Sequence, residues 1–171
     1  LRSFQGGNVL NKQEILTRLE EIQLLKKKIK VMVTPTITPK NYEKLQNNQN
    51  FKHGISVIIP TYKGEKVIKK CLDSLYNQTL KKELFDVIII INGEKDSTES
   101  IVNDFIKKNQ LQNIRLLYSS KASASSSRNI GIQNAEREYT VFLDDDDYVS
   151  SNFLEEMLTL AQPDTSVVAQ I

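Results

Sequence analysis

Apolar positions fall into two rhythms along this chain. From about Asn11 to Val33 they come at Ile15, Leu19, Ile22, Leu25, Ile29 and Met32, spacings of three and four that describe one face of an amphipathic helix. Lys26, Lys27, Lys28 and Lys30 lie mostly around that face. The register is too brief to demand a coiled coil, so packing on its own domain is the default and self-association through the helix the alternative. The run from Thr34 to Pro39 breaks the pattern, with Thr38 as N-cap and Pro39 as first residue of another short helix. Gln46 to Asn50 is polar and reads as linker.

From Ile55 the rhythm changes. Ile55 to Pro60 is β-branched and strand-like, and Phe85 to Ile91 is a continuous apolar run of the kind buried on both faces of a parallel sheet. Ile114 to Tyr118 and Tyr139 to Leu143 give two more strands. Between and after them, helical spacing marks Val67–Tyr76, Ile101–Ile106, roughly Ser125–Ala135 and Asn152–Leu160. Ser166 to Ile171 reads as a further strand in progress. The alternation predicts an α/β fold with a mainly parallel, Rossmann-like sheet flanked by helices. Residues 1–53 are expected to form a helical extension and linker, and 54–171 the domain.

Composition changes this picture little. At 171 residues, 39% hydrophobic and 26% charged, the chain suits one domain with a real core. Its longest apolar stretch is far too short to span a bilayer, and the start shows no signal-peptide pattern. The single cysteine, Cys71, forms no internal disulfide and is expected to pack on a helix; His53, the single histidine, sits in polar sequence. Charge is more informative. Residues 1–54 carry ten Lys/Arg against four Asp/Glu, a net of +6, and residues 55–171 carry thirteen against seventeen, a net of −4. A basic arm on an acidic domain suits an acidic partner or an anionic membrane surface, and equally the solvated face of a helix.

In parallel sheets ligands bind at the carboxyl ends of strands, and the suggestive segments of this chain all lie there. The fourth strand runs into Asp144-Asp145-Asp146-Asp147. Like charges so close repel, by about 1 kcal/mol per pair at 4 Å even in water. A hard divalent cation, Mg²⁺ or Mn²⁺, is the functional reason to gather them, and a solvated acidic turn is the plain one. After the third strand, Ser119 to Asn129 is serine-rich and leads into a helix whose N-terminus, with Arg128 beside it, suits a diphosphate. After the second, Asn92 carries an amide able to read a nucleobase edge, and Asp96 or Ser97 can cap the following helix. Neither Gly-x-Gly-x-x-Gly nor Gly-Lys-Ser/Thr follows the first strand, which removes a dinucleotide fingerprint and a P-loop. The implied ligand is a nucleoside diphosphate with a divalent cation.

These segments resemble the nucleotide-sugar half of family 2 glycosyltransferases of the GT-A fold. The resemblance rests on Ser56 to Tyr62, Asn92-Gly93 with Asp96 to Thr98, Ser125 to Gly131 and Leu143 to Asp147, in order, over about residues 55–160. It implies that Pro60, Thr61 and Tyr62 line the nucleoside pocket with Glu65 in support, and that Asn92 stands at the base reader. It places Arg128 near the diphosphate, Asp144 and Asp145 on the nucleotide, and Asp144 and Asp146 on the metal. Lys63 stands where the family usually has Asn, and Ile91-Asn92 replaces Asp-Asp. A UDP-sugar donor, inverting transfer to a glycan, lipid-linked or protein acceptor hydroxyl, a cytoplasmic setting at the inner membrane face and no nucleic-acid partner are what the family implies. Its catalytic base lies in the acceptor half, expected beyond Ile171, so this piece is expected to bind nucleotide with little or no transfer. Two other readings stand beside it: a haloacid dehalogenase-type phosphatase using Asp144 and Asp146, and a non-catalytic docking domain.

Overall fold

The computed structural model describes residues 31–35, 51–120, 122–161 and 167–169. Strands β1 (Val31–Pro35), β2 (Lys52–Thr61), β3 (Phe85–Asn92), β4 (Ile114–Ser119), β5 (Arg137–Phe142) and β6 (Val167–Ala169) form one sheet in the order β4-β3-β2-β5-β1-β6. Helices α1 (Ile68–Tyr76), α2 (Thr98–Asn109), α3 (Ala124–Asn134) and α4 (Phe153–Leu160) join or follow the strands. β4, β3, β2 and β5 are mutually parallel. β1 lies antiparallel to both β5 and β6, so it alone runs against the others.

Side-chain alternation explains the layers. Ile55, Val57 and Ile59 point to one face with Val87, Ile89 and Val141, and are covered by α1, α2 and α4 through Leu72, Val102 and Leu154. Ile58, Ile88 and Ile90 point to the other face, covered by α3 through Ile130 and Ile132. There α3 comes close to β2, because a Cβ on Gly131 would stand 2.3 Å from Ile58 Cγ2.

The four parallel strands and four helices lie where the apolar rhythm placed them. The N-terminal expectation needs correction. Val31–Val33, assigned to the end of a long helix, are the first residues of a strand, and Thr34-Pro35 continues it. Val, Val and Thr are β-branched, and the backbone edge of β5 accepts them in register, Val33 opposite Val141 and Thr34 opposite Thr140. The rest of the expected helix, the short helix at Pro39 and the linker at 46–50 lie outside the described residues. Lys52 and His53, assigned to linker, begin β2, where His53 Nδ1 lies 2.9 Å from Glu138 Oε2.

Strand order reverses beside β2: the chain steps outward through β3 and β4, then returns to add β5 on the opposite flank. A crevice opens at such a point, outside the carboxyl ends of β2 and β5.

Candidate functional site

The residues that follow β2, β3 and β5 converge at this crevice. A cleft of about 500 Å³ is lined by Pro60 at the end of β2 and Tyr62 after it, Asn92 from β3, Ala122 to Ala124 and Arg128 at the start of α3, and Asp144, Asp145 and Asp146 after β5. Of the predicted site residues, Pro60, Tyr62, Asn92, Arg128, Asp144, Asp145 and Asp146 line it together.

Thr61 and Glu65 do not. Thr61 is buried beneath the cleft, and its Oγ1 donates to Asp145 Oδ2 at 2.5 Å, tying the end of β2 to the acidic loop. Glu65 Oε2 accepts from the Ser97 backbone N–H at 3.3 Å, and the Glu65 N–H donates to Asp96 Oδ2 at 3.4 Å. It braces the loop after β2 against the entry to α2 rather than facing the ligand space. Asp96 also caps α2, Oδ1 accepting from the Thr98 N–H at 3.0 Å.

The four aspartates differ in environment. Asp144 and Asp146 are exposed, whereas Asp145 and Asp147 are half-buried. Burial pushes the Asp145 carboxyl above its ordinary range; the Thr61 hydrogen bond opposes this, and the charges of Asp146 and Asp144 reinforce it. Asp147 is raised by burial and then by Asp146 and Asp144. Asp144 Oδ1 accepts from Arg128 Nη2 at 2.6 Å. The helix carrying Arg128 begins at Ser123, an N-cap whose side chain accepts from the Ser126 N–H at 3.3 Å.

Tyr62 is about half exposed and lies over Gly93. Gly93 has φ +74°, and a Cβ there would stand 2.8 Å from the ring, so both backbone and space require glycine. Ser127, which the sequence did not single out, is fully buried and receives the Asn92 Nδ2–H at 3.1 Å. Its signal was the spacing of four from the capping Ser123, which brings its hydroxyl to the Ser123 carbonyl, at 3.1 Å.

Fit to a divalent ion follows from the donor set. Asp144 and Asp146 offer hard carboxylate oxygens at the cleft mouth. Among the described residues no three His, Cys, Asp or Glu side chains gather into a cage. Two exposed carboxylates are donors that a hard divalent ion such as Mg²⁺ or Mn²⁺ would take beside phosphate and water oxygens.

A second cavity of about 460 Å³ opens at the opposite edge of the sheet. Several of its charges pair with one another: Asp86 accepts from Arg115 Nη2 at 3.0 Å and also from Ser56 Oγ at 2.9 Å, and Arg115 Nη1 donates to Glu136 at 2.8 Å. That network holds strand starts together. Among the described residues no helix is long and apolar enough to cross a membrane.

Comparison with known proteins agrees with the geometry. The sequence is 38% identical over 102 residues to a poly(ribitol-phosphate) beta-glucosyltransferase of Bacillus spizizenii, covering 58% of this chain and 16% of that protein. It is 34% identical over 101 residues to the poly(ribitol-phosphate) beta-N-acetylglucosaminyltransferase TarS of Staphylococcus aureus, covering 59% and 18%. The crystal structure of residues 1–349 of S. aureus TarS with UDP superposes with a TM-score of 0.57 at 30% identity, over 62% of this chain and 31% of that one. A mannosyltransferase of Pyrobaculum calidifontis with GDP-Man and Mn²⁺ superposes at 0.58 with 19% identity, over 72% and 39%, and shares the fold. The chain thus spans roughly a sixth of the first of these relatives and under a fifth of the second. The sequence profile of Glycosyl transferase family 2 matches residues 56–171, the strands and loops that build the cleft, and this chain belongs to that family.

Proposed function

We propose that this chain forms the donor-binding half of an inverting glycosyltransferase that moves a sugar from a UDP-sugar to an acceptor hydroxyl with the help of Mn²⁺ or Mg²⁺. The observation that carries the reading is the single cleft that collects Tyr62, Asn92, Arg128 and Asp144 to Asp146 at the reversal of strand order. Family 2 membership and the UDP and UDP-GlcNAc complexes of TarS support it. The family match weighs against the phosphatase reading.

Each residue has a task that follows from its place. Tyr62 presents an exposed ring face for the base, and Asn92 an amide for its edge. Arg128, just past the first turn of α3, meets the diphosphate together with the positive N-terminal end of that helix. Asp145, fixed by Thr61, sets the height of the acidic loop, so that Asp144 and Asp146 can share ribose and ion. An ion held by Asp144 and Asp146 would supply positive charge beside the diphosphate leaving group as the glycosidic bond breaks. The acceptor oxygen bonds to the anomeric carbon from the face opposite the diphosphate, and the departing electron pair goes to the phosphate oxygen. The base taking the acceptor proton is assigned to none of the described residues.

The acceptor is a glycan, lipid-linked or protein hydroxyl of cell-surface polysaccharide synthesis. Its setting is the cytoplasm at the inner membrane face, where sugar nucleotides are made, with peripheral attachment at most. Calorimetric titration with UDP, with and without Mn²⁺, tests the donor site. Binding that needs Mn²⁺ and is lost in Asp146→Ala is the expected result; metal-independent binding indifferent to that substitution would remove the metal role, and no binding would remove the site.

A further inference from the structure

Asn92 ends β3 with its side chain buried in the cleft wall. Its Nδ2 donates to Ser127 Oγ at 3.1 Å, and the Ser127 hydroxyl donates in turn to the Ser123 carbonyl at 3.1 Å. A hydroxyl has one proton to give. With that proton on Ser123, Ser127 Oγ meets Asn92 as an acceptor, so Nδ2 rather than Oδ1 must face it. Turning the amide over would make the hydroxyl choose between Ser123 O and Asn92 Oδ1. One of two hydrogen bonds would be lost at a serine that is 0% exposed, where water cannot replace it. The amide therefore offers a ligand Oδ1, which only accepts.

We infer that Ser127 is a positioning residue that locks the Asn92 amide and so selects the donor base, admitting one whose ring nitrogen carries a proton, as uracil N3 does, and refusing a bare ring nitrogen, as in cytosine. This rests on the nucleotide-donor reading above. An aspartate at the base-reading position accepts by its own chemistry. An asparagine reads either way until something orients it, and here the first turn of α3 does so.

UDP and CDP are of equal size and opposite in hydrogen-bond sense at this edge. Calorimetric titration of each with Mn²⁺ against four proteins tests the inference: wild type, Ser127→Ala, Asn92→Asp and the double variant. Wild type is expected to favour UDP by about tenfold or more, the cost of facing acceptor with acceptor. Ser127→Ala frees the amide to rotate, and the preference falls to about threefold or less. Adding Asn92→Asp to Ser127→Ala restores the preference, because a carboxylate accepts however it turns. A Ser127→Ala variant that weakens both nucleotides equally, or a double variant that restores nothing, overturns the positioning role and leaves the donor site standing. Equal wild-type affinity for the two nucleotides overturns it too. Wild type that binds neither removes the donor site itself, and this inference with it.

Discussion

Arg128 Nη2 donates to Asp144 Oδ1 at 2.6 Å, joining the N-terminal part of α3 to the acidic loop across the cleft. The pair is only partly buried, with side-chain exposures of 35% and 54%, so it contributes little to stability. Its consequence is for binding. On the proposed donor reading, an incoming diphosphate would compete with Asp144 for the guanidinium and leave Asp144 to ribose or ion. Arg128→Ala is expected to weaken UDP roughly tenfold to a hundredfold, the worth of a charge-assisted hydrogen bond, and to leave uridine affinity unchanged. Parallel titrations with UDP and uridine check this; equal losses for both would put Arg128 on the nucleoside instead.

Gly64 holds the site from below. A Cβ there would stand 2.3 Å from Thr61 Oγ1 and 2.5 Å from Asp145 Oδ2, inside the hydrogen bond that positions the acidic loop. Its carbonyl also accepts from the Val67 and Ile68 N–H groups at 3.0 and 2.9 Å, which start α1. Gly64→Ala is expected to cost about 1–3 kcal/mol of stability and to abolish Mn²⁺-dependent UDP binding. Denaturant melts and calorimetry on the same variant report the two effects separately.

Lys63 has φ +53°, a left-handed conformation that asparagine tolerates better than lysine. This accounts physically for the asparagine usual at that position in the family. The exposed Lys63–Glu94 ion pair gives little in return. Lys63→Asn should therefore raise stability, by about 0.5–1 kcal/mol, in a urea titration with unchanged slope. A fall in midpoint would show that Lys63 is held there by something stronger.

Cys71 is fully buried on α1, and its Sγ lies 3.8 Å from the Asp144 carbonyl. Burial, then the charges of Asp145, Asp147, Asp146 and Asp144, push the thiol up to about 12. A raised folded-state value means that the neutral thiol's contribution is whole below the ordinary thiol range near 9.0 and is lost as pH climbs toward 12. The stability difference between wild type and Cys71→Ala should be flat to about pH 8.5 and then shrink by at most about 1.4 kcal/mol per pH unit. At pH 8 the folded protein should resist thiol reagents that label it in denaturant; rapid labelling of the native state would contradict the burial.

Strand and helix positions in the parallel half were legible because each element buries a face, and burial writes itself as spacing. The β3 run from Phe85 to Asn92 is buried along its whole length, as a strand covered on both sides must be. β1 was not legible. Its short β-branched run follows a stretch with helical spacing, and pairing with β5 and β6, more than a hundred residues later, makes it strand. The site divides in the same way. Asp144 to Asp146 and Arg128 announced themselves as charge at strand and helix ends. That Thr61 holds Asp145 from beneath, and that Ser127 holds Asn92, are contacts between segments far apart in sequence, which local pattern does not carry.

Because β1 covers the far flank of β5 and carries β6 in turn, the residues ahead of the family match are structural neighbours of the acidic loop's own strand. A shortened protein begun at Ile55 would leave that flank of β5 bare, a row of unpaired amides and carbonyls open to any extended peptide. Such a truncation should precipitate or self-associate on expression, whereas one that keeps Val31 to Pro35 should stay monodisperse.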